Sequence, residues 1–204
     1  MSGNPDTTVI ELDRVGKVFG DHAAVQDLSF TVMQGEIVAL LGRTGAGKST
    51  ALHMIMGVLE PSSGTVRVAG LDPFRQFQEL RGRLAVSFQT DRLLEWRTAW
   101  ENVALGLEIL GHSKETQRKE AIRWLENVKI VGEENVNKYA HALSGGMRQR
   151  VSLARALAVD PELVLLDESF SQLDHVTSSV LRKDFKELVS RLNKTCVLIT
   201  HRID

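Results

Sequence analysis

A glycine-rich loop between an apolar run and a helix-forming segment constrains the fold of this chain more than any other feature. Residues 42–50 read GRTGAGKST and directly follow the apolar run IVALL, residues 37–41. They match the pattern G-x-x-x-x-G-K-[ST], in which glycines let the backbone approach a phosphate and successive N–H groups point at the anion. The positive end of the following helix adds to this attraction. The sequence therefore predicts a strand, a phosphate-binding loop and a helix, which together bind a nucleotide triphosphate with its magnesium.

The residues of this loop are expected to make different contributions. Lys48 places a positive charge at the β- and γ-phosphates, where it also assists catalysis, and Ser49 offers a hydroxyl to magnesium. A glycine-rich turn without a ligand is the alternative, and the apolar run before the loop argues against it. The predicted nucleotide-binding residues of the loop are Gly42, Arg43, Thr44, Gly45, Ala46, Gly47, Lys48, Ser49 and Thr50.

Composition argues against several classes of protein. The 204 residues carry 25 basic and 26 acidic side chains, a net charge of −1, so we expect no nucleic-acid partner. The first residues lack the apolar core of a secretory signal, and no apolar run approaches the ~20 residues that span a bilayer. The single cysteine, Cys196, lies in an apolar run, so we expect a small buried core residue rather than a redox or disulfide site.

Short apolar segments separated by turn signals predict the first half of the fold. Residues 9–40 alternate apolar segments with turns, which predicts a small antiparallel sheet that leads into the strand before the loop. A helix is expected over 48 to about 59, ended by a proline-containing turn. Strands are expected at 65–69 and 84–89, where apolar residues dominate.

The rest of the chain predicts an α/β core with a helical insertion. IVALL, LVLLD (Leu163–Asp167) and CVLIT (196–200) are continuous apolar runs, typical of parallel strands with helices on both faces. A helix is expected at 176–192, between the last two of these runs. From about 89 to 159 the chain reads mostly as helix. One stripe of apolar residues at helical spacing comprises Ala121, Ile122, Leu125 and Val128.

Two acidic residues follow the run LVLL. An apolar strand that ends in Asp167 places a carboxylate at the carboxyl edge of the sheet, where α/β proteins bind ligands and where it can hold magnesium. Glu168 comes next and is placed to orient or deprotonate a water that attacks the γ-phosphate. An ordinary strand end with two solvated acids is the alternative.

A second helix start has the features of a phosphate site. Ser144, Gly145 and Gly146 precede the helix-forming segment MRQRVSLARALA. Ser144 is a suitable N-cap, and the glycines permit a close approach of the backbone. From these residues alone, a capped helix after a flexible turn and a second anion site are equally good interpretations.

These motifs, in this order, resemble the nucleotide-binding subunit of ABC transporters. Residues 42–50 match the first nucleotide motif, and LVLLDE matches the second with its following glutamate. LSGGMRQR, residues 143–150, resembles the signature motif of the family. The further matches are Gln89 in the Q-loop, residues 171–174 in the D-loop, His201 as the switch histidine, and Phe19 where the family has an aromatic that stacks on adenine. The resemblance covers about residue 10 to the end of the chain.

The resemblance implies a fold, a domain division and cofactors. It implies a P-loop NTPase core at 1–88 and 160–204 that includes a small antiparallel β subdomain. An inserted α-helical subdomain at 89–159 would carry the signature motif. The implied cofactors are ATP and Mg²⁺. The implied metal-site residues are Ser49, Gln89 and Asp167.

The resemblance also implies a composite site. Two copies of the chain would pair head to tail, so that each nucleotide lies between the loop of one copy and the signature motif of the other. His201 and Glu168 would act in hydrolysis, together with Lys48. The residues outside the loop that would contact nucleotide or join the two sites are Phe19, Gln89, Ser144, Gly145, Gly146 and Asp174.

Finally, the resemblance implies partners and a location. An integral membrane permease would be the direct partner and a solute-binding protein an indirect one, with this chain cytoplasmic and peripheral on the inner face of the membrane. Residues 92–111 look like ATPase subunits of importers for nitrate, sulfonate and taurine, with Glu95 where those carry proline. An ABC ATPase without transport, for example in cluster assembly, and a subunit that binds but does not hydrolyse ATP are alternatives.

The sequence departs from the family pattern at three places. Ser169 stands where most of these importer subunits have proline, and Gln172 replaces a small alanine; we still expect hydrolysis, since neither change removes a ligand. Family members also continue beyond His201. We therefore expect the last strand to lack covering elements, to expose an edge and to lower stability.

Overall fold

Two β-sheets and a set of helices form the part of the chain that the computed structural model describes, residues 7–167 and 175–200. The strands are β1 (Thr8–Phe19), β2 (His22–Met33), β3 (Ile37–Leu41), β4 (Ser63–Val68), β5 (Leu84–Ser87), β6 (Leu163–Asp167) and β7 (Thr195–Thr200). The α-helices are α1 (Lys48–Ile55), α2 (Ala99–Ile109), α3 (Lys114–Asn127), α4 (Glu133–Val136), α5 (Gly145–Leu157) and α6 (His175–Arg191). Two short 3-10 helices are Phe77–Leu80 and Ala140–Ala142.

The parallel sheet has its two most buried strands at the centre. Its order is β3-β7-β6-β5, so β7 pairs with β3 on one side and with β6 on the other. The prediction that the last strand exposes an edge is therefore wrong, because its position in the sheet is set by pairing and not by chain order. Cys196 in β7 is fully buried, as predicted, and burial raises the pKa of its thiol to about 12.

The strand before the loop is less buried than its sequence predicts. β3 lies at one edge of the sheet in the described part of the chain, and Ile37 and Leu41 are 42% and 48% exposed. A continuous apolar run indicates a strand covered on both faces. Alternate side chains of a strand point to the same face, so the exposure of Ile37 and Leu41 indicates that one face of β3 is open in the described part of the chain.

Helix α1 packs between the two sheets. The antiparallel sheet has the order β2-β1-β4, and its buried side chains meet Leu52, Met54 and Ile55 of α1 in one apolar cluster. Leu163 and Leu165 of β6 join the same cluster. Successive strand residues point to opposite faces, so the neighbouring residues of β6 belong to the cluster on the other face of the sheet, which is formed with the helices after β5.

Two predicted elements end earlier than expected. Helix α1 ends at Ile55 and not near residue 59. Gly57 adopts φ +72°, and a Cβ there would collide with the carbonyl oxygen of Pro73, so the chain leaves the helix to pass close to another backbone segment. Strand β5 ends at Ser87 and not at 89, because the chain then turns toward α5.

The residues between β5 and β6 are helical, as predicted. Thr98 and Glu101 form a reciprocal capping box at the start of α2. The predicted apolar stripe of α3 packs into the core, with Trp124 also buried. Helix α5 contacts α2, α3 and β5, so it joins the helical segment to the sheet. Among the described residues, no helix combines the length and apolar composition needed to cross a membrane.

Candidate nucleotide-binding site

The carboxyl ends of the four parallel strands form one edge of the sheet, the carboxyl edge, where the phosphate-binding loop begins and Asp167 lies. Leu41 of β3 pairs with Thr200 of β7, and Ile199 pairs with Asp167 of β6. Ser87 of β5 pairs with the residue before Asp167. Neighbouring strands lie ~4.8 Å apart. The loop after β3, the carboxylate that ends β6 and the chain that leads from β5 to the predicted Q-loop therefore start from the same edge, as in nucleotide sites of α/β proteins.

Three predicted residues lie outside the described residues. Glu168 and Asp174 follow β6, and His201 follows β7. The departures at Ser169 and Gln172 lie in the same part of the chain. Their roles stay predictions from the sequence. The strands that precede these residues, β6 and β7, are described, and their carboxyl ends lie at this edge of the sheet.

The loop has the backbone shape that its glycines predict. Gly45 and Gly47 both adopt φ +82°, a left-handed conformation that residues with a Cβ rarely adopt. The amide of Ala46 donates to the carbonyl oxygen of Arg43 over 3.1 Å, which closes a turn. Gly47 caps α1, whose first turn contains no acidic residue. The positive end of the helix is therefore not neutralised by its own sequence and favours an anion.

Lys48 lies across the loop. Its Nζ donates to the carbonyl oxygen of Gly42 over 2.7 Å and to that of Arg43 over 2.9 Å. An ammonium group has three donors, so the side chain can bond one further acceptor without losing either contact. The side chain is thus oriented inward over the loop, where the sequence predicts the phosphates.

The donor set near this edge fits magnesium bound together with a nucleotide. Ser49 is exposed and Asp167 is half-buried at the end of β6. In the described part of the chain, no group of three or more His, Cys, Asp or Glu is placed to hold a metal ion by itself. Magnesium at nucleotide sites takes few protein ligands and completes its shell with phosphate oxygens and waters, so the hydroxyl of Ser49, the carboxylate of Asp167 and the side-chain oxygen of Gln89 are the expected protein donors.

The predicted adenine platform lies on the hairpin next to the loop. A Cβ on Gly47 would collide with the carbonyl oxygen of Ala24 in β2, so the end of the loop packs directly against that strand. Phe19 pairs with His22 in the hairpin. His22 lies two residues before Ala24, and two residues span ~7 Å along a strand. The Phe19 ring is 49% exposed, and Nζ of Lys17 lies 5.3 Å from its centroid. An exposed ring at this position can accept a planar base.

The predicted signature motif forms a separate helix start. Ser144 is the N-cap of α5, as predicted, and its Oγ accepts a hydrogen bond from the Met147 amide over 3.3 Å. Ser144 and Gly145 are exposed. In the described part of the chain, no hydrogen bond or ion pair joins 143–147 to the loop at 42–50. The chain thus presents two distinct helix starts with the backbone donors that an anion needs.

A polar network between α5 and the chain after Gln89 was not predicted from the sequence. Arg148 bonds the carboxylates of Asp91 and Glu95, and Arg155 bonds the carbonyl oxygens of Asp91 and Arg92. The only signal in the sequence is a basic residue in the first turn of a helix, where the helix dipole disfavours it. That signal does not name the partners, which are more than fifty residues away in the chain.

Comparisons with known proteins agree with this geometry. The profile of the ABC transporter family matches residues 25–171. The fold and the loop define a P-loop nucleotide-binding protein, and the chain belongs to the ABC transporter family. The predictions of the family and of the fold class are confirmed.

Several curated relatives are importer subunits. The chain is 38% identical over 202 residues to the nitrate import ATP-binding protein NrtC of Synechococcus elongatus, covering 96% of this chain and 30% of that protein. It is 41% identical over 192 residues to the sulfate/thiosulfate import ATP-binding protein CysA of the same organism, covering 94% and 55%. It is 40% identical over 208 residues to a methionine import ATP-binding protein, MetN 2, of Bacillus licheniformis, covering 96% and 59%. The chain therefore spans between 30% and 59% of these three proteins.

Solved structures show the same fold. The cbiO1 structure from Clostridium perfringens, part of the ABC transporter complex cbiONQ, superimposes with a TM-score of 0.86 at 27% identity, covering 97% of this chain and 80% of that one. A dimeric post-hydrolysis state of the ATP-binding cassette MJ0796, bound to ADP and Pi, gives a TM-score of 0.81 at 32% identity, covering 95% and 88%. Both values are high enough for the fold assignment to extend over nearly the whole chain.

Proposed function

We propose that this chain binds and hydrolyses ATP and thereby powers import of a small solute through a membrane permease. The observation that carries the proposal is the convergence of strand ends at one sheet edge, with Lys48 oriented over the loop by its bonds to Gly42 and Arg43. The importer names of the relatives support the transport part. These relatives are named for nitrate, for sulfate or thiosulfate, and for methionine, so their names do not single out one solute. As a more specific proposal, the imported solute resembles nitrate, a sulfonate or taurine.

Different residues would bind the phosphates, hold magnesium and accept the proton of the attacking water. Backbone amides of 42–50 and the Lys48 ammonium would bind and orient the phosphates. Ser49 and Asp167, with Gln89, would hold Mg²⁺, which supplies positive charge beside the phosphates when bound. Glu168 would take the proton from the attacking water. The remaining proposed contacts of the bound nucleotide are made by Phe19 at the base and His201 at the γ-phosphate.

We further propose that the working unit is a head-to-tail pair of chains. The two separate helix starts support this arrangement, because among the described residues no hydrogen bond or ion pair joins them, and a nucleotide in the loop of one copy can meet the helix start of another. The dimeric cassettes among the structural relatives support it as well. In the pair, Ser144, Gly145 and Gly146 of one copy would face the nucleotide in the loop of the other, with Asp174 near the contact between the copies.

The proposal includes a division of the chain and a location. Residues 1–88 and 160–204 would form the ATPase core, and residues 89–159 the helical subdomain that carries the signature motif. The chain would lie on the cytoplasmic face of the membrane and bind a permease. A solute-binding protein would deliver the solute to that permease. One structural relative, cbiO1, is part of the ABC transporter complex cbiONQ, which supports such an assembly.

Replacing Lys48 with methionine tests the ATP-binding part of the proposal. Methionine keeps an unbranched side chain but removes the charge, and a hydrogen bond to a charged group contributes about 1.5–3 kcal/mol. We expect the Kd for Mg·ATP, measured by calorimetry, to rise at least tenfold and hydrolysis to fall to background. The exposed Lys119 on α3 gives the matched control, Lys119→Met, which should behave as the native chain.

The same variant tests the import part. A strain that lacks this chain should regain uptake of its solute with the native chain and not with Lys48→Met; nitrate, taurine and an alkanesulfonate are the first solutes to assay. Equal ATP affinity of Lys48→Met and the native chain would contradict the proposed site. Hydrolysis of ATP by a native chain whose loss changes no uptake would leave the site intact and overturn the import part.

A further inference from the structure

Three side chains of α5 bond the segment that follows β5, residues 89–95, here called the Gln89 segment. Nε2 of Gln149 donates to the carbonyl oxygen of Gln89 over 3.4 Å. Arg155 donates to the carbonyl oxygen of Asp91 over 2.6 Å and to that of Arg92 over 2.8 Å. Arg148 bonds the carboxylates of the segment. The Gln89 segment is therefore fixed to α5 through both backbone and side-chain oxygens.

Arg148 uses its whole guanidinium group. Nε and Nη2 bond the two carboxylate oxygens of Asp91 over 2.9 and 2.8 Å. Nη2 also bonds Glu95 over 2.7 Å, and Nη1 bonds Glu95 over 3.3 Å and the carbonyl oxygen of Ala140 over 2.7 Å. These five hydrogen bonds equal the five N–H donors of an arginine. A lysine cannot reproduce such a planar, bidentate arrangement.

Burial makes the Asp91 contact stronger than the Glu95 contact. The side chains of Arg148 and Asp91 are 21% and 20% exposed, whereas Glu95 is 53% exposed. Burial alone would raise the pKa of the Asp91 carboxyl, but hydrogen bonds from Arg148 and the Leu93 amide, with the nearby arginine charges, hold it below its ordinary value. Asp91 is thus a charged, bonded carboxylate at the joint, and the exposed ion pair of Glu95 adds little.

The backbone of Arg148 closes the first turn of α5. Its amide donates to the carbonyl oxygen of Ser144 over 2.8 Å. The side chain of the same residue is held by the Gln89 segment. Arg148 therefore joins the Gln89 segment to the helix start. If the segment moves, Arg148 can move with it and shift Ser144 and the exposed amides that follow.

We infer that Arg148 is a positioning residue that couples the Gln89 segment to the phosphate-facing start of α5. The inference rests on the proposed function, in which Gln89 contacts the nucleotide of its own chain and Ser144 faces the nucleotide of the other copy. Through Asp91 and Arg148, the state of the first nucleotide sets the position of the helix start that serves the second. Arg148 touches neither nucleotide and acts through the first turn of its helix.

Variants of the pair separate coupling from stability. We expect Asp91→Asn and Arg148→Met to lower kcat for ATP hydrolysis on the order of tenfold, with the Kd for Mg·ATP of the single chain unchanged, because the loop is not touched. The double variant should be no slower than the worse single variant, since both remove the same contact. Arg148→Lys should recover only part of the activity. All rates are measured well below the lowest Tm of the set.

Arg83 provides the matched control. Its Nε and Nη2 bond the two carboxylate oxygens of Glu162 over 2.9 and 3.1 Å, the same bidentate arrangement as the Arg148–Asp91 pair, outside the Gln89 segment and the signature motif. Arg83→Met should lower Tm and leave kcat near the native value. Glu95→Gln should change kcat by less than about threefold, since exposed pairs contribute little.

The outcomes distinguish this inference from the proposed function. Native kcat in Asp91→Asn and Arg148→Met, or a loss of kcat as large in Arg83→Met, would overturn the coupling role while ATP hydrolysis by the native chain still supports the proposed function. Additive losses in the double variant would also overturn it. A native chain that neither binds nor hydrolyses ATP would overturn the proposed function and this inference with it.

Discussion

Gly47→Ala is expected to lower the free energy of unfolding by roughly 2–5 kcal/mol and to abolish ATP binding. Gly47 adopts φ +82°, so alanine is strained there. A Cβ would also collide with the carbonyl oxygen of Ala24 and press on Val25, both in β2. Backbone of a paired strand cannot move as a side chain can, so the loop must leave its place. Chemical denaturation and calorimetry with Mg·ATP measure the two effects.

Gly45→Ala is the matched control for this collision. Gly45 has the same φ of +82°, yet a Cβ there meets no atom within 4 Å. Strain alone should lower the unfolding free energy by about 1–2 kcal/mol. If Gly47→Ala were no less stable than Gly45→Ala, the close packing of the loop against β2 would be wrong.

Glu168→Gln is expected to lower the rate of ATP hydrolysis by on the order of 10²–10⁴, the contribution typical of a general base. Glutamine has nearly the same shape but cannot take a proton from water. ATP binding should survive, because the loop and Lys48 are unchanged, and the nucleotide should remain bound between two copies. Steady-state hydrolysis and size-exclusion chromatography with Mg·ATP measure both effects.

An exposed glutamate tests whether the effect belongs to this position. Glu126 lies on the exposed side of α3, and Glu126→Gln should hydrolyse ATP at the native rate. Turnover by Glu168→Gln within a few-fold of the native rate would remove Glu168 as the base. It would also favour the alternative that the chain binds ATP without hydrolysing it, with Ser169 changing the orientation of the Glu168 carboxylate.

Local rules predicted much of the fold and of the loop. Strand β3 has the bounds that its apolar run predicts, because a glycine-rich turn ends that run at once. Ser144 caps α5, because a serine hydroxyl directly before a helix accepts a hydrogen bond from an amide that has no partner within the helix. Such features depend on a few neighbouring residues, and the sequence shows them directly.

Features that depend on distant contacts were not predictable. Helix α1 ends early because Gly57 passes against the backbone near Pro73, and the central place of β7 depends on which strands pair with it. The bond between Arg148 and Asp91 joins residues 57 apart in the chain. Periodicity and motif spacing carry no information on such pairs.

We propose that each nucleotide site is built from two copies of this chain. Mixing two inactive variants shows whether two copies share a site. In Lys48→Met the loop is damaged and the signature helix start is intact, whereas in Ser144→Arg the helix start is damaged and the loop is intact. In a head-to-tail pair of one copy of each, one site combines the intact loop with the intact helix start.

Equal amounts of these variants should recover about a quarter of the native hydrolysis rate, because half of the random pairs are mixed and each mixed pair has one complete site out of two. Lys48→Met mixed with the double variant Lys48→Met/Ser144→Arg should recover nothing, since that mixture contains no intact loop. No recovery in the first mixture, whether or not crosslinking detects mixed pairs, would contradict a site shared between two copies.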